Sequence, residues 1–497
     1  MLNTNKVSRV VIAGGGTAGW MAAATISKLC GTQLDITLIE SSEIGTIGVG
    51  EATVPTLLSF HRLLGISEQE FMSAANGSIK LGISFENWRE KGDRYIHPFG
   101  RIGQPFWGGG FHELWLKGKE LGINVPYGDY CLELQAAKAN KFALTTNPSI
   151  NYAYHLDATA YGKFLRRFSE DLGVKRVEGI IENVNLDVDT GFIESIALKS
   201  GQVIEGDLFI DCTGFRGLLI EQAMHTGLED WSHWLPCDSA IAIQEESVAP
   251  PIPLTRAIAH DHGWQWKIPL QNRVGTGLVY SSRYQSEDSA IQTLLNNLEG
   301  KPLIDPKVIK FRTGRRLKGW NKNCVAIGLS GGFIEPLEST TIFLISSNLI
   351  RLMRLFPFNG INPLLVDEFN KQSKKEIDLV RDFVVMHFHA TQRTDTAFWR
   401  HCRTMPIPES LKQRLDLFRE TGRIIVGEDE LFQTDSWTQV MIGQGIVPKQ
   451  HNPMANFMGD TELRQFLKQY TDSIEQMVAK LPMHGDFLKG YCPANAQ

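Results

Sequence analysis

Six residues, Gly14-Gly15-Gly16-Thr17-Ala18-Gly19, constrain this chain more than any other stretch. They follow an apolar run, Ser8 to Ala13, that reads as a short buried strand, and they open an alanine-rich helix reaching Cys30. A second strand, Leu34 to Ile39, ends at Glu40. This is a βαβ opening, and it implies a parallel sheet. Gly14, Gly16 and Gly19 fit G-x-G-x-x-G: the first makes a tight turn, the second admits a pyrophosphate, the third lets helix and strand pack closely. Thr17 and Ala18 lie at the helix N-terminus, where unpaired N–H groups meet phosphate charge. Glu40 is placed to accept hydrogen bonds from a ribose diol. A bare glycine-rich turn is the plainer alternative, and strand, helix and acid together disfavour it. The pattern calls for a dinucleotide without separating FAD from NAD.

Further along, alternating apolar residues (Ile181, Val184, Leu186, Val188) and turn signals at Asp189-Thr190-Gly191 and Ser200-Gly201 predict an antiparallel meander. It is expected to end in Leu208-Phe209-Ile210, with another strand at Val325-Ala326-Ile327. Phe343–Phe356 and Leu364–His389 carry helical periodicity. So does a stripe from Leu463 to Leu481, which reads as core packing. The fold class is therefore α/β with α+β elaboration. Two segments favour FAD: Asp207–Gly214, a strand ending in a Thr-Gly turn, and Asn323–Ser330, which contains Gly328 and resembles the later flavin-contacting strand of hydroxylase-type flavoproteins. No second strand–GxGxxG–helix offers a nicotinamide site, so the flavin is expected to be reduced elsewhere.

Composition narrows the partners. Fifty basic against 55 acidic residues give a net charge of −5, with no electrostatic footprint for nucleic acid. Seven scattered cysteines without a CxxC disfavour a disulfide framework and zinc, and suit a reducing compartment. Val10 to Ala13 is too short for a secretion signal's apolar core, and no membrane-length apolar run occurs. A cytoplasmic location is expected, with no membrane partner.

One motif carries a resemblance. Trp264-Gln265-Trp266-Lys267-Ile268-Pro269 reads W-x-W-x-I-P. It is accompanied by Ile47-Gly48-Val49-Gly50-Glu51-Ala52-Thr53-Val54-Pro55, by Lys80 with Gly82, Phe85 and Trp88, and by His97-Pro98-Phe99. Gly331 to Thr340, with Pro336-Leu337-Glu338-Ser339-Thr340, completes the set. Together these resemble the flavin-dependent halogenases of the tryptophan-halogenase family, and they span most of the chain.

The resemblance implies an FAD-binding Rossmann-like fold of the flavin-monooxygenase type, with a mixed sheet and a helical substrate-binding cover. Residues 1–345 would form the FAD-binding module, with inserted segments at about 60–160 reaching the substrate pocket, and 346–497 the cover. Gly50, Glu51 and Ala52 would join the cofactor site. Trp264, Trp266, Ile268 and Pro269 would lie on the flavin side, keeping organic substrates from its reactive face. Reduced FAD, O2 and chloride or bromide would give a hypohalous species that passes to Lys80, with Glu338 assisting. Taken alone, Lys80 reads as a solvated surface charge and Glu338 as a helix-start residue. A carboxylate beside Lys80 would favour its ammonium form, which hydrogen-bonds the hypohalous oxygen; a lowered pKa would favour a haloamine. Thr340 and Thr341 would present amides to halide, although many family members have glycine at the second position. His97, Phe99 and Trp437 would wall the substrate pocket. His387-Phe388-His389 reads as packing or surface, with no metal.

The resemblance also implies a separate flavin reductase, an aromatic small-molecule substrate, and room for a homodimer. No tyrosine occurs between Tyr284 and Tyr470, where enzymes acting on free tryptophan carry a lid with adjacent tyrosines. A zwitterion needs partners for both charges, so indole, a larger indole compound or another electron-rich arene is the expected substrate. A flavin monooxygenase that hydroxylates directly, or a non-catalytic flavin-binding protein, shares the glycine motif and stays open as an alternative.

Overall fold

The computed structural model describes residues 6–44 and 50–494. Strand β1 (Arg9–Ala13), helix α1 (Thr17–Cys30) and strand β2 (Asp35–Glu40) form the expected βαβ opening. They belong to a six-stranded sheet whose order is Trp320–Asn321, Cys324–Ala326, Leu208–Asp211, β1, β2, Lys175–Glu178. The first of these pairs antiparallel and the rest are parallel. The antiparallel meander is present as Ile181–Leu186, Ile193–Leu198 and Val203–Glu205. Leu208–Asp211 is not its last strand, as the sequence suggested, but pairs in parallel with β1. Its four residues are all buried, which a meander open to solvent on one face does not provide.

Between β2 and Lys175 the chain makes the small elements that reach the site: β3 (Gly50–Ala52), β4 (Ser78–Lys80), β5 (Gly82–Glu86), β6 (Arg94–Pro98) and β7 (Ala153–Asp157). The three-stranded sheet β3-β7-β4 holds Lys80. Strands β5 and β6 extend a seven-stranded sheet whose centre is β8 (Gly263–Pro269), the tryptophan-motif strand. Trp264, Trp266 and Ile268 share one face of β8, as residues two apart must.

The C-terminal part is helical. Helix α2 (Thr341–Arg354) lays Ile342, Ile345 and Leu349 into the core that also contains α1. Helix α3 (Pro363–His389) starts with Asn362 capping Leu364 N at 2.9 Å and Pro363 at its first position. Its 27 residues reach about 40 Å, and burial runs unbroken from Val380 to Phe388. That half carries Phe383 and His387, one helical turn apart, into the core beneath β8. Helix α4 (Thr434–Gly443) closes over β6. No described helix is long and apolar enough to cross a membrane.

Candidate active site

The dinucleotide end is set by backbone shape. Gly14 has φ +108°, and a Cβ there would run into the carbonyl of Cys212; one at Gly19 would strike the carbonyl of Gly14. These two glycines are required by packing alone. Gly16 differs: a Cβ there meets nothing within 4 Å, so the space beside it is open. It is also the N-cap of α1 and supplies no side-chain cap, which leaves the first amides free. Thr17 and Ala18 follow, with Thr17 Oγ1 3.5 Å from the Ala158 carbonyl. Glu40 presses its carboxylate against Gly15, where Trp20 Nε1 donates to it at 3.2 Å. Arg176 and Arg166 also reach Glu40. An open phosphate cradle with an acid beside it fits a dinucleotide.

The later segments return to the same place. The buried Asp211 carboxylate accepts from Thr213 N, Leu219 N and Ile220 N at 2.8–2.9 Å, which fixes the Thr-Gly turn. Gly328, at φ +76°, stands so close to Ala18 that a Cβ would lie 2.8 Å from the alanine methyl. It lines a cleft with Gly331, Gly332, Phe333, Thr340 and Thr341. On β3, Gly50 faces Ile268, Ala52 is buried, and burial pushes the Glu51 carboxyl up to about 7. Ile47, Gly48 and Val49 lie outside the described residues. The indoles of Trp264 and Trp266 are 6.2 Å apart, with Ile268 and Pro269 buried beyond them. Trp264 Nε1 donates at 2.8 Å to Glu335, a wholly buried carboxyl that burial pushes up to about 8.

Lys80 is fully buried, so its solvated-surface reading is wrong. Its Nζ donates to the Thr53 carbonyl at 3.0 Å and to Ser339 Oγ at 2.7 Å, and stands 5.0 Å from the Phe99 ring centroid. Thr53 is itself held, its Oγ1 accepting from Tyr154 N at 2.9 Å. Burial draws Lys80 down to about 7 while the Glu338 charge opposes that shift. The two are electrostatic neighbours and do not form an ion pair. The condition for a firmly charged lysine, a carboxylate directly on it, is therefore not met.

Glu338 pairs elsewhere. It sits in the short turn Pro336–Glu338, followed by Ser339 at φ +60°, and is 1% exposed. His97 Nδ1 is 2.9 Å from its Oε2 and 3.1 Å from its Oε1; His387 Nε2 is 2.7 Å from its Oε1. Burial alone would raise this carboxyl, but the two imidazoles outweigh it and hold Glu338 below the ordinary range. His387 Nδ1 lies 3.1 Å from the Tyr95 hydroxyl. Gln444 Nε2 in turn donates to that hydroxyl at 3.2 Å and to the His387 carbonyl at 3.0 Å. His387 is thus not incidental packing, as its sequence context suggested. It reads as packing because its partner lies on another segment, and only its one-turn spacing from Phe383 hints at a shared buried face. Tyr95 and Gln444 were not singled out by the sequence, and Glu335 lay within the Gly331–Thr340 motif without a role of its own.

The remaining candidates lie around this centre. Thr340 is buried and Thr341 opens α2, so amides at the helix start follow Glu338 and Ser339 directly. His97 packs against Phe383 and Phe432, with ring centroids 5.6 and 6.1 Å away. Trp437, on α4, meets Phe383 edge-on at 4.8 Å and carries the Arg414 guanidinium 4.3 Å above its ring. Among the described residues, no group of three or more His, Cys, Asp or Glu side chains could hold a metal ion.

A Rossmann-type cradle joined to a buried lysine and a histidine-clamped carboxylate defines a flavin-dependent oxidoreductase. The family model for tryptophan halogenase matches residues 9–460, and the chain belongs to that family. Tryptophan 7-halogenase RebH of Lentzea aerocolonigenes is 36% identical, the match covering 98% of this chain and 99% of that one. Among solved structures, the flavin-dependent halogenase Xcc4156 from Xanthomonas campestris superposes with a TM-score of 0.98 at 54% identity, over 99% of this chain and 100% of the other. BrvH, a flavin-dependent halogenase from Brevundimonas sp. BAL3, gives 0.94 at 42% identity, over 98% and 100%. The chain is a flavin-dependent halogenase, and neither the hydroxylase nor the non-catalytic reading is favoured.

Proposed function

We propose that this halogenase takes reduced FAD from a separate flavin reductase and uses O2 with chloride or bromide to halogenate indole or an indole derivative in a cytoplasmic setting. The observation that carries this is the placement of Lys80, buried and held by Thr53 and Ser339, one residue along from the clamped carboxylate of Glu338. Gly14, Gly16, Thr17, Ala18, Gly19, Glu40, Gly50, Glu51, Ala52 and Gly328 would hold the FAD, which when bound and reduced supplies the oxidation of halide by O2. Trp264, Trp266, Ile268 and Pro269 would screen it from organic substrate. Residues 1–345 would act as the FAD-binding module and 346–497 as the cover.

Hypohalous acid formed beside the start of α2, near Thr340 and Thr341, reaches Lys80. The ammonium form donates a hydrogen bond to its oxygen and makes the halogen more electrophilic. The neutral amine can instead carry the halogen on nitrogen. A lysine drawn down to about 7 populates both forms near neutrality. Phe99, His97 and Trp437 would wall the arene, and two polar side chains of α4 are already engaged. Asp435 accepts from Ile102 N at 3.2 Å and from the Tyr127 hydroxyl at 3.4 Å, and Gln439 donates to the Ile96 carbonyl at 2.6 Å. The buried α4 atoms left without a partner among the described residues, Trp437 Nε1 and Thr438 Oγ1, are uncharged, which supports indole over free tryptophan.

The test supplies reduced FAD, O2 and bromide or chloride to the enzyme with a panel of arenes that includes indole and free tryptophan, read by mass spectrometry. Halogenated indole is the expected product. Hydroxylated product without halogenated product would support the monooxygenase, and peroxide-free inertness a non-catalytic role.

A further inference from the structure

The hydrogen-bond pattern around Glu338 leaves a buried nitrogen of His97 unexplained. Gln444 Nε2 donates to the Tyr95 hydroxyl, so the tyrosine proton points to His387 Nδ1. Burial lowers the His387 imidazole, and with Nδ1 accepting from the tyrosine, Nε2 is the nitrogen left to carry a proton, facing Glu338 Oε1 at 2.7 Å. On the other side the ionised carboxylate takes the Nδ1 proton of His97 at 2.9 Å. The carboxylate thus stands between two imidazole nitrogens, His97 Nδ1 at 2.9 Å from Oε2 and His387 Nε2 at 2.7 Å from Oε1. His97 Nε2 is left, in a side chain 2% exposed, with no hydrogen-bond partner among the described residues. A buried unpaired polar atom costs about 1–3 kcal/mol and calls for a reason. His97 is followed two residues on by Phe99, whose ring centroid is 5.0 Å from Lys80 Nζ, and its partner Glu338 precedes Ser339, which accepts from the same Nζ.

Resting on the halogenase reading above, we infer that His97 is the general base of the reaction and that Glu338 acts through it, with His387, Tyr95 and Gln444 as positioning residues. After the halogen adds to the arene, the C–H bond at the halogenated carbon breaks and its electron pair restores the aromatic ring. The proton passes to His97 Nε2. The resulting imidazolium keeps its Nδ1–H on the Glu338 carboxylate, whose charge stabilises it, and the proton leaves to water when product departs. The carboxylate orients and stabilises a histidine that does the proton transfer.

The experiment compares indole with ring-deuterated indole in wild type and in His97→Gln, which preserves size and an amide donor toward Glu338. Wild type should show an isotope effect near unity. His97→Gln should oxidise reduced FAD at the normal rate and halogenate about 10²-fold or more slowly, with a primary isotope effect well above unity. A slowed variant whose isotope effect stays at unity would mean that His97 only shapes the pocket, and the inference would fall. Should that variant not fold, ¹⁵N spectra of histidine-labelled wild type give the answer: Nδ1 protonated and Nε2 bare at His97 supports it, and the opposite tautomer overturns it. Absence of any halogenated product from wild type would sink the halogenase reading instead, a separate result.

Discussion

Lys80 Nζ stands 2.7 Å from the hydroxyl oxygen of Ser339, while its charged neighbour Glu338, the adjacent residue, is turned away to two histidines. The lysine is thus placed by neutral oxygens and kept free of a tight ion pair. A firm Lys80–Glu338 bond would fix the ammonium form and cover the group proposed to meet the halogen.

Lys80→Met should reduce halogenation by about 10²–10⁴-fold while leaving oxidation of reduced FAD unchanged. Ser339→Ala removes one hydrogen bond to a cationic donor, about 1.5 kcal/mol, and should lower kcat about tenfold. Parallel assays of halogenated product and flavin oxidation check both. Equal loss of the two activities in Lys80→Met would contradict the assigned role.

The glycines separate fold from ligand. Gly16→Ala should melt like wild type, since its Cβ meets no protein atom, yet bind FAD more weakly by filling the cradle. Gly19→Ala and Gly14→Ala strike backbone carbonyls and should lower Tm outright. Thermal melts paired with FAD titrations distinguish these outcomes.

Glu335 gives a pH signature. Its carboxyl is raised by burial from about 4.5 to about 8, so between those values the folded state binds more protons than the unfolded state, and stability falls as pH rises. Glu335→Gln is isosteric with the protonated form and retains an acceptor for Trp264 Nε1. Its Tm relative to wild type should therefore climb from pH 5 to pH 8. A difference independent of pH would show that Glu335 ionises normally.

His387→Ala deletes one of the two imidazoles that hold the Glu338 carboxyl low. The carboxyl should then titrate higher, and the acid limb of the kcat profile should move to higher pH, with about tenfold lower kcat at neutrality. Tyr95→Phe should move it in the same direction by less. Unchanged profiles in both variants would remove the pair from the machinery.

How much was readable beforehand depends on how local each determinant is. Gly14, Gly16, Gly19 and Glu40 announce themselves because strand, turn, helix and acid follow each other in the chain. Lys80, Trp264 and Glu338 were recognisable only through the motifs around them; alone, Lys80 looks like any surface lysine. The partners of Glu338 could not be read, since strand β6 brings His97 to it and helix α3 brings His387. The strand Leu208–Asp211 was seen but given to the wrong sheet, because an apolar run does not state which neighbour it will pair with.

Gln444 immediately follows α4, and its single amide fastens both Tyr95 and the backbone of His387. The arm of the network that reaches Glu338 through His387 is therefore fastened from the end of α4, so a substitution at Gln444, far from Glu338 in the chain, loosens the tyrosine and the helix backbone together.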